Sequence, residues 1–402
     1  MKKTEITFIG LNFAPEDSAI GLYSSEWVKQ LESDGHNVTV VTGFPYYPQW
    51  NIFNKYKNKA RFLKEYNGRT KILRYKQYVP KTPTFFKRVL HIIDFTIGSF
   101  FNLLKIKKCD LVIAVVPFTA SSFLGWIQKK RFNSKFWIHI QDFEFDAALQ
   151  SKKKSKAGPA FSLMFRLESW LFSKPDVVST ISHSMIHTLR KKCNTPSFYL
   201  PNWVNPDTIN PATANPHRYI SSPKIVLLYS GNIGEKQDWN SFVEFCNDIN
   251  QNKYEILIVG DGSKKNWLVE MTVHLTNIKH YPPVPYSELS DLLCSVDIHL
   301  LFQKPDFLDI VMPSKVLGMM ASAKPSLIIG HRESEINSIF KSINIGLYFD
   351  RYTKEVVTEL DKISRQSSQM KEMGENARAY VIKNFSKDRI LKKAQKKALS
   401  KT

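Results

Sequence analysis

A glycine-rich segment with one lysine, residues 231–237 (Gly-Asn-Ile-Gly-Glu-Lys-Gln), has the composition of an anion-binding site. Gly231 and Gly234 would expose backbone N–H groups directly after an apolar strand, and such groups bind phosphate oxygens. We expect Lys236 in the first turn of the helix that follows, where a cation opposes the helix dipole unless an anion is bound. This pattern favours a diphosphate site; the alternative is a solvated lysine after a tight turn.

A hydroxyl and a second cation come from residues 309–321. Pro313 suits the first position of a helix, so Ser314 and Lys315 are expected in its first turn. The hydroxyl, the ammonium group and the free backbone amides of that turn would converge on one anion. The apolar residues that follow are expected in the core rather than in the site: Val316, Leu317, Met319 and Met320.

Carboxylates and one imidazole form another group of candidates in the N-terminal part of the chain. Glu16, Ile20 and Gly21 fall in the loop and helix start after the first apolar strand, where an open parallel sheet holds its ligands. Asp142 follows another apolar strand, and a carboxylate there could orient a hydroxyl or take its proton. His139 lies within that strand, so it is either a binding residue or a buried core histidine.

The sequence lacks the patterns of several other common types of site. No GxGxxG or Walker A segment is present, which argues against dehydrogenases and P-loop enzymes. The acidic run at residues 142–146 does not have metal-ligand spacing, so no metal is expected. The cysteines are scattered singly, which predicts reduced thiols and neither a zinc site nor a redox pair: Cys109, Cys193, Cys246 and Cys294.

The charge balance points to an anionic partner. The 402 residues include 57 Lys and Arg against 36 Asp and Glu, a net charge of +21. Such an excess predicts attraction to nucleic acid, an anionic membrane surface or a phosphorylated substrate. No nucleic-acid-binding module is recognisable, so nucleic acid is the least favoured partner. Without a signal peptide or an apolar stretch of about 18 residues, we expect a cytoplasmic protein that is soluble or lies on a membrane.

Apolar strands that alternate with helical patterns predict an α/β protein with two halves, each built on a parallel sheet. A proline- and asparagine-rich linker near 205–222 would separate the halves, and a basic helix would end the chain. Strands are expected at 6–11, 38–41, 111–116, 136–140, 177–181, 225–229, 256–259, 298–302 and 326–329.

Two basic, aromatic-rich stretches, 85–108 and 152–172, have helical spacing of their apolar residues. A helix of this kind can lie in the interface of a lipid bilayer, with its lysines at anionic headgroups. It can equally be an ordinary helix whose apolar face packs on a core. The sequence leaves both interpretations open for both stretches.

Motifs in a fixed order resemble glycosyltransferase family 4, the retaining transferases of the GT-B fold. The resemblance covers nearly the whole chain, and its nearest branch is the colanic-acid and O-antigen type, similar to fucosyl- and N-acetyl-fucosaminyl-transferases. The motifs are residues 13–16 (Phe-Ala-Pro-Glu), 35–42, 45–48 (Pro-Tyr-Tyr-Pro), 230–237, 259–262 (Val-Gly-Asp-Gly) and 312–315 (Met-Pro-Ser-Lys).

The resemblance implies two Rossmann-like domains that face a cleft, and no metal or other cofactor. Residues 1–204 would bind the acceptor, 205–384 the nucleotide sugar, and the helix 385–402 would pack back towards the first domain. The donor-binding residues would be Gly231, Asn232, Gly234, Lys236, Gly262, Ser314, Lys315, Gly318 and Glu335. The acceptor-binding residues would be Glu16, Ile20, Gly21, His139 and Asp142, and the catalytic groups Asp142, Lys236 and Lys315.

One departure from the family concerns the donor ribose. The wider family has two glutamates separated by seven residues, and this chain holds Ile310 and Gly318 at those positions. Neither side chain can accept a hydrogen bond, so the ribose would be held by main chain, or by Glu333 or Glu335. The deoxysugar branch accepts glycine at the second position, so activity is still expected.

The function expected from the resemblance is transfer of a deoxysugar, L-fucose or N-acetyl-L-fucosamine, from a UDP- or GDP-linked donor. The acceptor would be a polyprenyl-diphosphate-linked glycan of bacterial O-antigen, capsule or exopolysaccharide synthesis, at the anionic cytoplasmic face of the inner membrane. Two alternatives keep the fold: a nucleotide-sugar epimerase and a non-catalytic GT-B scaffold at the membrane. Donor turnover would exclude the scaffold, and dependence on a lipid acceptor would exclude the epimerase.

Overall fold

The computed structural model describes residues 3–17, 19–117, 119–143, 159–304 and 314–399. The chain forms two compact units, and each is described by itself. Unit 1 consists of Met1–Leu200 with Leu391–Thr402, and unit 2 of Pro201–Ile390. These divisions lie a few residues from the predicted domain boundaries. Among the residues described, no helix is long and apolar enough to span a lipid bilayer.

Unit 1 is built on one sheet. Its strands are β1 (Glu5–Ile9), β2 (Asn37–Gly43), β3 (Phe62–Asn67), β4 (Thr70–Tyr75), β5 (Leu111–Val116), β6 (Lys135–Ile140), β7 (Val177–Thr180) and β8 (Ser197–Tyr199). Its helices are α1 (Ala19–Ser33), α2 (Asn54–Lys57), α3 (Phe85–Leu104), α4 (Thr119–Phe132), α5 (Pro159–Phe172) and α6 (His183–Lys192).

The strand order in unit 1 is β3-β4-β2-β1-β5-β6-β7-β8, and every neighbouring pair except β3–β4 is parallel. In the centre, Phe8 of β1 lies opposite Val40 of β2 and Ile113 of β5. Every residue of β5 is buried, which explains why this strand is a continuous apolar run rather than an alternating one.

Unit 2 repeats the architecture with a smaller sheet. Its strands are β9 (Ile225–Ser230), β10 (Tyr254–Val259), β11 (Ile278–Tyr281), β12 (Ile298–Phe302), β13 (Ser326–Ile329) and β14 (Gly346–Phe349). Its helices are α7 (Trp239–Asp248), α8 (Lys265–Thr272), α9 (Leu289–Ser295), α10 (Ser314–Ala321), α11 (Glu335–Ser342), α12 (Lys354–Ile363) and α13 (Ser367–Phe385). The last helix, α14 (Lys387–Leu399), begins in unit 2 and ends in unit 1.

All neighbouring strands of unit 2 are parallel, in the order β11-β10-β9-β12-β13-β14. Both sheets are doubly wound, because the chain adds strands first to one side and then to the other. The direction changes between β1 and β5 in unit 1, and between β9 and β12 in unit 2. Ligands of open parallel sheets bind beyond the carboxyl ends of the strands at such a point.

The predicted α/β architecture is confirmed, and every predicted strand is present with its ends shifted by no more than two residues. The strands that the sequence analysis missed are β3, β4, β8, β11 and β14. Strands β3, β4 and β8 lie at or next to the ends of the unit 1 sheet. Strands β11 and β14 are the two end strands of the unit 2 sheet. Strands β3, β8, β11 and β14 are short or partly exposed and lack the apolar run by which buried strands are recognised, whereas β4 is buried but interrupted by Lys71 and Arg74.

Candidate functional site

The loops that follow β9 and β10 interlock at the carboxyl edge of the unit 2 sheet. The Gly231 N–H donates to the Val259 carbonyl oxygen at 2.9 Å, and the Ile233 N–H donates to the Asp261 carbonyl oxygen at 2.8 Å. A side chain at Gly262 would collide with the Ile233 carbonyl oxygen, so this close approach of two backbones requires glycine. The N–H groups of Gly231 and Gly234 were predicted to be exposed to an anion. This prediction is wrong, because both donate within the protein, the second of them to Gln237 Oε1.

Lys315 lies across this loop. It occupies the first turn of α10, as predicted, and its Nζ donates to the Tyr229 hydroxyl at 2.8 Å and to the Asn232 carbonyl oxygen at 3.3 Å. The ammonium also lies 4.7 Å from the centre of the Tyr229 ring. Gly231 has a φ of 132°, and a Cβ there would collide with the Lys315 side chain. The structure therefore brings two of the predicted donor segments into direct contact.

The Tyr229 hydroxyl is the link between these groups. Burial raises the pKa of this tyrosine, so the hydroxyl stays protonated and donates to the Asn232 carbonyl oxygen at 2.6 Å. The Ser314 side chain, predicted to join Lys315 at the anion, lies outside the described residues, as do residues 305–313.

The prediction that Lys236 lies in the first turn of a helix is wrong. Helix α7 begins at Trp239, because the Asp238 side chain caps it by accepting from the Ser241 N–H at 3.3 Å. Lys236 is exposed in the loop, and its carbonyl oxygen accepts from the Lys304 N–H at 3.2 Å, just beyond β12. An anion beside Lys236 would meet loop amides and a lysine charge rather than a helix N-terminus.

Neighbouring lysines of this loop are paired with a carboxylate. Glu235 lies 3.3 Å from the Nζ of Lys264 and 3.9 Å from that of Lys304. Within the described ranges, no carboxylate forms an ion pair with Lys236. The Lys236 ammonium is therefore the charge that this loop offers to an anionic ligand.

Two further predicted donor residues lie at the same edge of the unit 2 sheet. The Gly234 N–H donates to Gln237 Oε1 at 3.2 Å, and its carbonyl oxygen accepts from the Trp239 indole at 2.8 Å. Glu335 begins α11, directly after the loop that follows β13, and is half-buried. The helix start is capped by Ser334, which accepts from the Asn337 N–H at 3.1 Å.

Gly318 lies half-exposed on α10. A Cβ at this position would lie 3.4 Å from Leu293 Cδ1 and 3.6 Å from Ile209 Cδ1, which are ordinary van der Waals contacts. The first bond of a side chain here would therefore point towards apolar neighbours. Main chain is the part of Gly318 that a ligand could contact.

In unit 1, the buried Glu16 carboxylate holds together the loops after β1 and β2. Its Oε1 accepts from the N–H groups of Tyr46 at 2.7 Å and Tyr47 at 2.9 Å, and its Oε2 accepts from the Asn12 amide at 2.8 Å. Burial raises the pKa of this carboxyl, and these hydrogen bonds oppose the rise. A Cβ at Gly21 would lie 2.8 Å from Glu16 Cβ, so glycine lets α1 start beside the carboxylate. Glu16 shapes these loops; its contact with an acceptor stays a prediction.

The other predicted acceptor residues have different environments. His139 is buried, with Nδ1 2.9 Å from Ser179 Oγ and Nε2 2.9 Å from the Gln141 amide nitrogen. Burial lowers the pKa of His139 to about 3, so the ring is neutral at physiological pH. A ring so placed reaches a ligand only through Gln141, and any part in acceptor binding is indirect. Ile20 is half-buried in the first turn of α1, and Asp142 is exposed beyond β6.

A search among the described residues finds no group of three or more His, Cys, Asp or Glu side chains that could hold a metal ion. Two carboxylates at these edges are engaged with other groups: Glu16 accepts from backbone N–H groups, and Glu235 pairs with lysines.

Comparison with known proteins identifies the family. No family model matches the chain. The glycosyltransferase WcaI of Escherichia coli strain K12, named for colanic acid biosynthesis, is 31% identical over 403 residues, which span 96% of this chain and 98% of that protein. The chain belongs to this glycosyltransferase family. The resemblance to the colanic-acid branch is thereby confirmed, and the family 4 assignment fits it.

Solved structures show that this glycosyltransferase has the GT-B fold, as predicted. Sucrose-phosphate synthase from Thermosynechococcus elongatus superposes with a TM-score of 0.75 at 13% identity, over 98% of each chain. HepE of Anabaena, described in complex with UDP and glucose, superposes with a TM-score of 0.64 at 11% identity, over 99% of this chain and 100% of that one. At such identities the likeness shows the fold alone.

Sequence patterns did not single out Arg74, which supports the loops at the carboxyl edge of the unit 1 sheet. Its buried guanidinium donates from Nη1 to the Gly43 carbonyl oxygen at 3.1 Å and from Nη2 to the Ala14 carbonyl oxygen, and it pairs with Glu65. The loops after β1 and β2 are thus joined a second time. Its strand β4 carries no motif, and Thr70, Lys71 and Arg74 interrupt its apolar residues, so no sequence signal marked this arginine.

Proposed function

We propose that this glycosyltransferase moves a deoxysugar, such as L-fucose or N-acetyl-L-fucosamine, from a UDP- or GDP-linked donor to a polyprenyl-diphosphate-linked glycan. The transferred sugar would keep its anomeric configuration. The product would be a bacterial surface polysaccharide, O-antigen, capsule or exopolysaccharide, made at the cytoplasmic face of the inner membrane. The name of the WcaI relative, which refers to colanic acid biosynthesis, supports the polysaccharide assignment.

The observation that carries the proposal is the interlocked pair of glycine loops in unit 2, with Lys315 across one of them and Lys236 exposed beside it. The loops stand at the point where the sheet changes its winding direction, between β9 and β12. Two lysines at such a point suit the charge of a nucleoside diphosphate. The complex of the GT-B neighbour HepE with UDP and glucose supports a nucleotide-sugar donor.

The chemistry of the transfer would be mainly electrostatic. As the bond between the sugar and the diphosphate breaks, negative charge grows on the leaving diphosphate. Lys236 and Lys315 would stabilise that charge more than the charge of the bound donor. The acceptor hydroxyl would attack the same face of the sugar, and Asp142 would orient it.

The ribose of the donor would be held without the family's second glutamate. A side chain at Gly318 would point towards apolar neighbours, so Gly318 would contact the ribose through its main chain. Glu335, which begins α11 after β13, would supply a carboxylate from the adjacent loop, with Glu333 as the other candidate. Either carboxylate would accept hydrogen bonds from ribose hydroxyls.

The acceptor would be held by unit 1. Glu16 and Arg74 join the loops after β1 and β2 through buried charged groups, which keeps those loops in one conformation. The exposed carboxylate of Asp142 lies beyond the end of β6, where it would meet the acceptor hydroxyl.

A thermal-shift screen of the purified protein against UDP, GDP, dTDP and CDP tests the donor site. A nucleotide at 100 times its dissociation constant stabilises a protein by about 2.7 kcal/mol, which raises the unfolding temperature measurably. We expect a shift with one base and a much smaller one in Lys236→Ala. Lys371→Ala, which changes an exposed lysine on α13, is the matched control and should keep the shift.

Two results would contradict the donor assignment. An absence of any shift in the wild type would mean that the loops do not bind a nucleotide. A shift that persists unchanged in Lys236→Ala would remove that lysine from the site. Transfer of radiolabelled fucose to a polyprenyl-diphosphate glycan, compared with free glycan, then tests the sugar and the acceptor.

A further inference from the structure

Helix α3 carries an apolar stripe that the described residues of the chain leave exposed. Its members recur every three or four residues, which places them on one face of the helix. Each is between 49% and 82% exposed: Phe86, Leu90, Ile93, Ile97, Phe101 and Leu104. The opposite face packs inward, with Phe95, Ser99 and Leu103 buried. The interpretation of the stretch 85–108 as a helix packed on a core is therefore confirmed for one face, and the other face is exposed.

The apolar surface continues on α4 and α5. Helix α4 packs against both α3 and α5. On α5 the exposed residues Leu163, Leu167 and Trp170 again follow helical spacing. The Trp170 ring contacts Trp126 of α4 at 5.1 Å between ring centres, and Trp126 contacts the exposed Phe123 at 6.1 Å. The lysines at 152–156, predicted to flank this stretch, lie outside the described residues.

On its other side the stripe reaches the edge strand β3. The exposed Phe62 ring lies 6.5 Å from Phe101, and the Lys105 ammonium lies 4.5 Å from the centre of the Phe62 ring. Between them is a groove of about 480 Å³, which Ile97 and Arg61 also line. We call Phe62 and the exposed apolar residues of α3, α4 and α5 together the apolar face.

The positive charge of the chain lies in the same unit as the apolar face. Unit 1 contains 36 Lys and Arg against 14 Asp and Glu, whereas unit 2 contains 21 against 22. Exposed cations flank the ends of α3, with Lys87 and Arg88 at its start and Lys105, Lys107 and Lys108 at its end. The whole net charge of the protein is therefore carried by the unit that exposes the apolar stripe.

The acidic residues of these three helices are Asp94 and Glu168, and both pair with cations, Asp94 with Arg61 at 3.4 Å. Asp94 accepts from the Tyr75 hydroxyl at 2.8 Å and from the Tyr78 N–H at 2.6 Å. Glu168 is fully buried and pairs with Lys192. The sequences of α3, α4 and α5 contain no other acidic residue. The surface thus combines apolar side chains with cations, and the carboxylates that would repel an anionic partner are neutralised.

We propose that the apolar face docks unit 1 on an anionic lipid bilayer. The stripe would enter the boundary between headgroups and acyl chains, and the flanking lysines and arginines would contact anionic headgroups. A second copy of the chain is a poorer partner, because two surfaces of the same strong positive charge repel. The proposal extends the proposed function, whose lipid-linked acceptor lies at a bilayer, but it does not depend on the donor site.

Cosedimentation of the full chain with sucrose-loaded vesicles tests the docking. Vesicles of phosphatidylglycerol and phosphatidylcholine in equal parts are compared with vesicles of phosphatidylcholine alone. We expect binding to the anionic vesicles only, with about tenfold or greater loss in the double variant Ile93→Asp with Ile97→Asp. Both residues are about half exposed, so the fold should survive, which an unchanged unfolding temperature would confirm. The matched control is Val273→Asp, 79% exposed in unit 2, which should bind as the wild type does.

A charge variant tests the electrostatic part of the docking. Lys107→Gln with Lys108→Gln should lower binding to anionic vesicles by roughly fivefold for each lysine, and added salt should weaken wild-type binding. Lys371→Gln, which changes an exposed lysine of unit 2, is the control and should bind normally.

Three results would overturn the proposal. Equal binding to both kinds of vesicle, or binding to neither, would exclude an anionic bilayer as the partner. Unchanged binding of the Ile93/Ile97 variant, or an equal loss of binding in Val273→Asp, would exclude the apolar face as the docking surface. A wild-type dimer that the Ile93/Ile97 variant converts to a monomer, without vesicle binding, would assign the face to a second copy. The nucleotide thermal shift, measured on the same proteins, separates these outcomes from a failure of the donor site.

Discussion

The two units share a doubly wound sheet but fix their ligand loops in different ways. In unit 2 the loops after β9 and β10 are held by backbone hydrogen bonds and by glycines that let two backbones meet. In unit 1 the loops after β1 and β2 are held by two buried charged side chains, Glu16 and Arg74. Unit 2 thereby leaves its lysine side chain at 236 for a ligand, whereas unit 1 uses charge to build the loops themselves.

The surfaces of the two units also differ, both in exposed apolar residues and in net charge. Among the exposed large apolar residues of the described chain, those of α3, α4 and α5 form one connected face, whereas those of unit 2 are Val269, Met271, Val273 and Ile382. The net charge of unit 2 is close to zero, and that of unit 1 is strongly positive. Two domains of one architecture thus present different surfaces: one suits a small charged ligand, the other an extended anionic partner.

The largest effect on stability is expected for Arg74→Met. The change leaves the Glu65 carboxylate and the carbonyl oxygens of Ala14 and Gly43 without the guanidinium, and removing one partner of a buried pair costs about 3 kcal/mol or more. Arg378→Met is the matched change in unit 2, where a half-buried guanidinium donates to backbone carbonyls and no carboxylate is left unpaired. It should cost about 1–2 kcal/mol.

Amide hydrogen exchange, read separately in β2 and β9, measures the stability of each unit in these two variants. Equal losses in the two variants would mean that buried charge matters no more in unit 1 than in unit 2. The contrast between the units would then have to be abandoned.

The next effect is on turnover. Lys236→Ala should lower the transfer rate by about 10²-fold or more, because a charge that stabilises the leaving diphosphate is lost. Its unfolding temperature should not change, since the side chain has no ion pair among the described residues. Lys315→Ala should lower both the rate and the stability, because its ammonium also bonds Tyr229 and Asn232. Steady-state kinetics and thermal unfolding check both variants, and a normal rate for Lys236→Ala would exclude its role.

A pH effect is expected equally in both units. Burial lowers the pKa of His139 in unit 1 and of His299 in unit 2 to about 3, whereas an unfolded histidine titrates near 6.5. Between these values the unfolded chain binds protons that the folded chain does not. The stability from each histidine is therefore complete above pH 6.5 and is lost as the pH falls, by up to about 1.4 kcal/mol per pH unit.

Unfolding by urea at several pH values, compared with His139→Gln and His299→Gln, measures this dependence. Each variant should lessen the slope of stability against pH below 6.5. A slope that neither variant changes would show that the rings do not stay neutral in the fold. A rise in the acceptor KM confined to His139→Gln would connect that ring, through Gln141, to acceptor binding.

The buried parts of both sheets could be predicted from the sequence, and the edges could not. Central strands such as β5 and β10 are continuous apolar runs because helices cover both faces of a parallel sheet. Edge strand β3 alternates exposed and half-buried residues, and β8 has only three residues, so neither forms such a run. Burial on both faces, rather than strand formation, is what the apolar pattern reports.

The candidate site was predictable where composition decides it and not where tertiary contacts do. Gly231, Gly262 and Lys315 were chosen by residue type, and they meet because β9, β10 and α10 adjoin. The predicted position of Lys236 was wrong. Asp238 caps α7, so the helix begins after Lys236, and the Lys304 N–H beyond β12 donates to the Lys236 carbonyl oxygen. The Asp238 cap has a local signal, since aspartate is a favoured N-cap residue, whereas the contact with Lys304 has none.

The smallest effect is expected for Gly318→Ala, which is compared with Glu335→Gln to test how the donor ribose is held. The added methyl would fit against Leu293 and Ile209, and alanine is favoured over glycine within a helix by about 1 kcal/mol. We therefore expect an unfolding temperature about 2–4 °C higher. The methyl leaves the main chain in place, so the nucleotide thermal shift should persist in Gly318→Ala. If Glu335 holds the ribose, the shift should fall in Glu335→Gln, and a shift that both variants keep would exclude Glu335. A lower unfolding temperature for Gly318→Ala would mean that the glycine is required by the fold of α10 rather than by the ligand, and the departure from the family would then be structural.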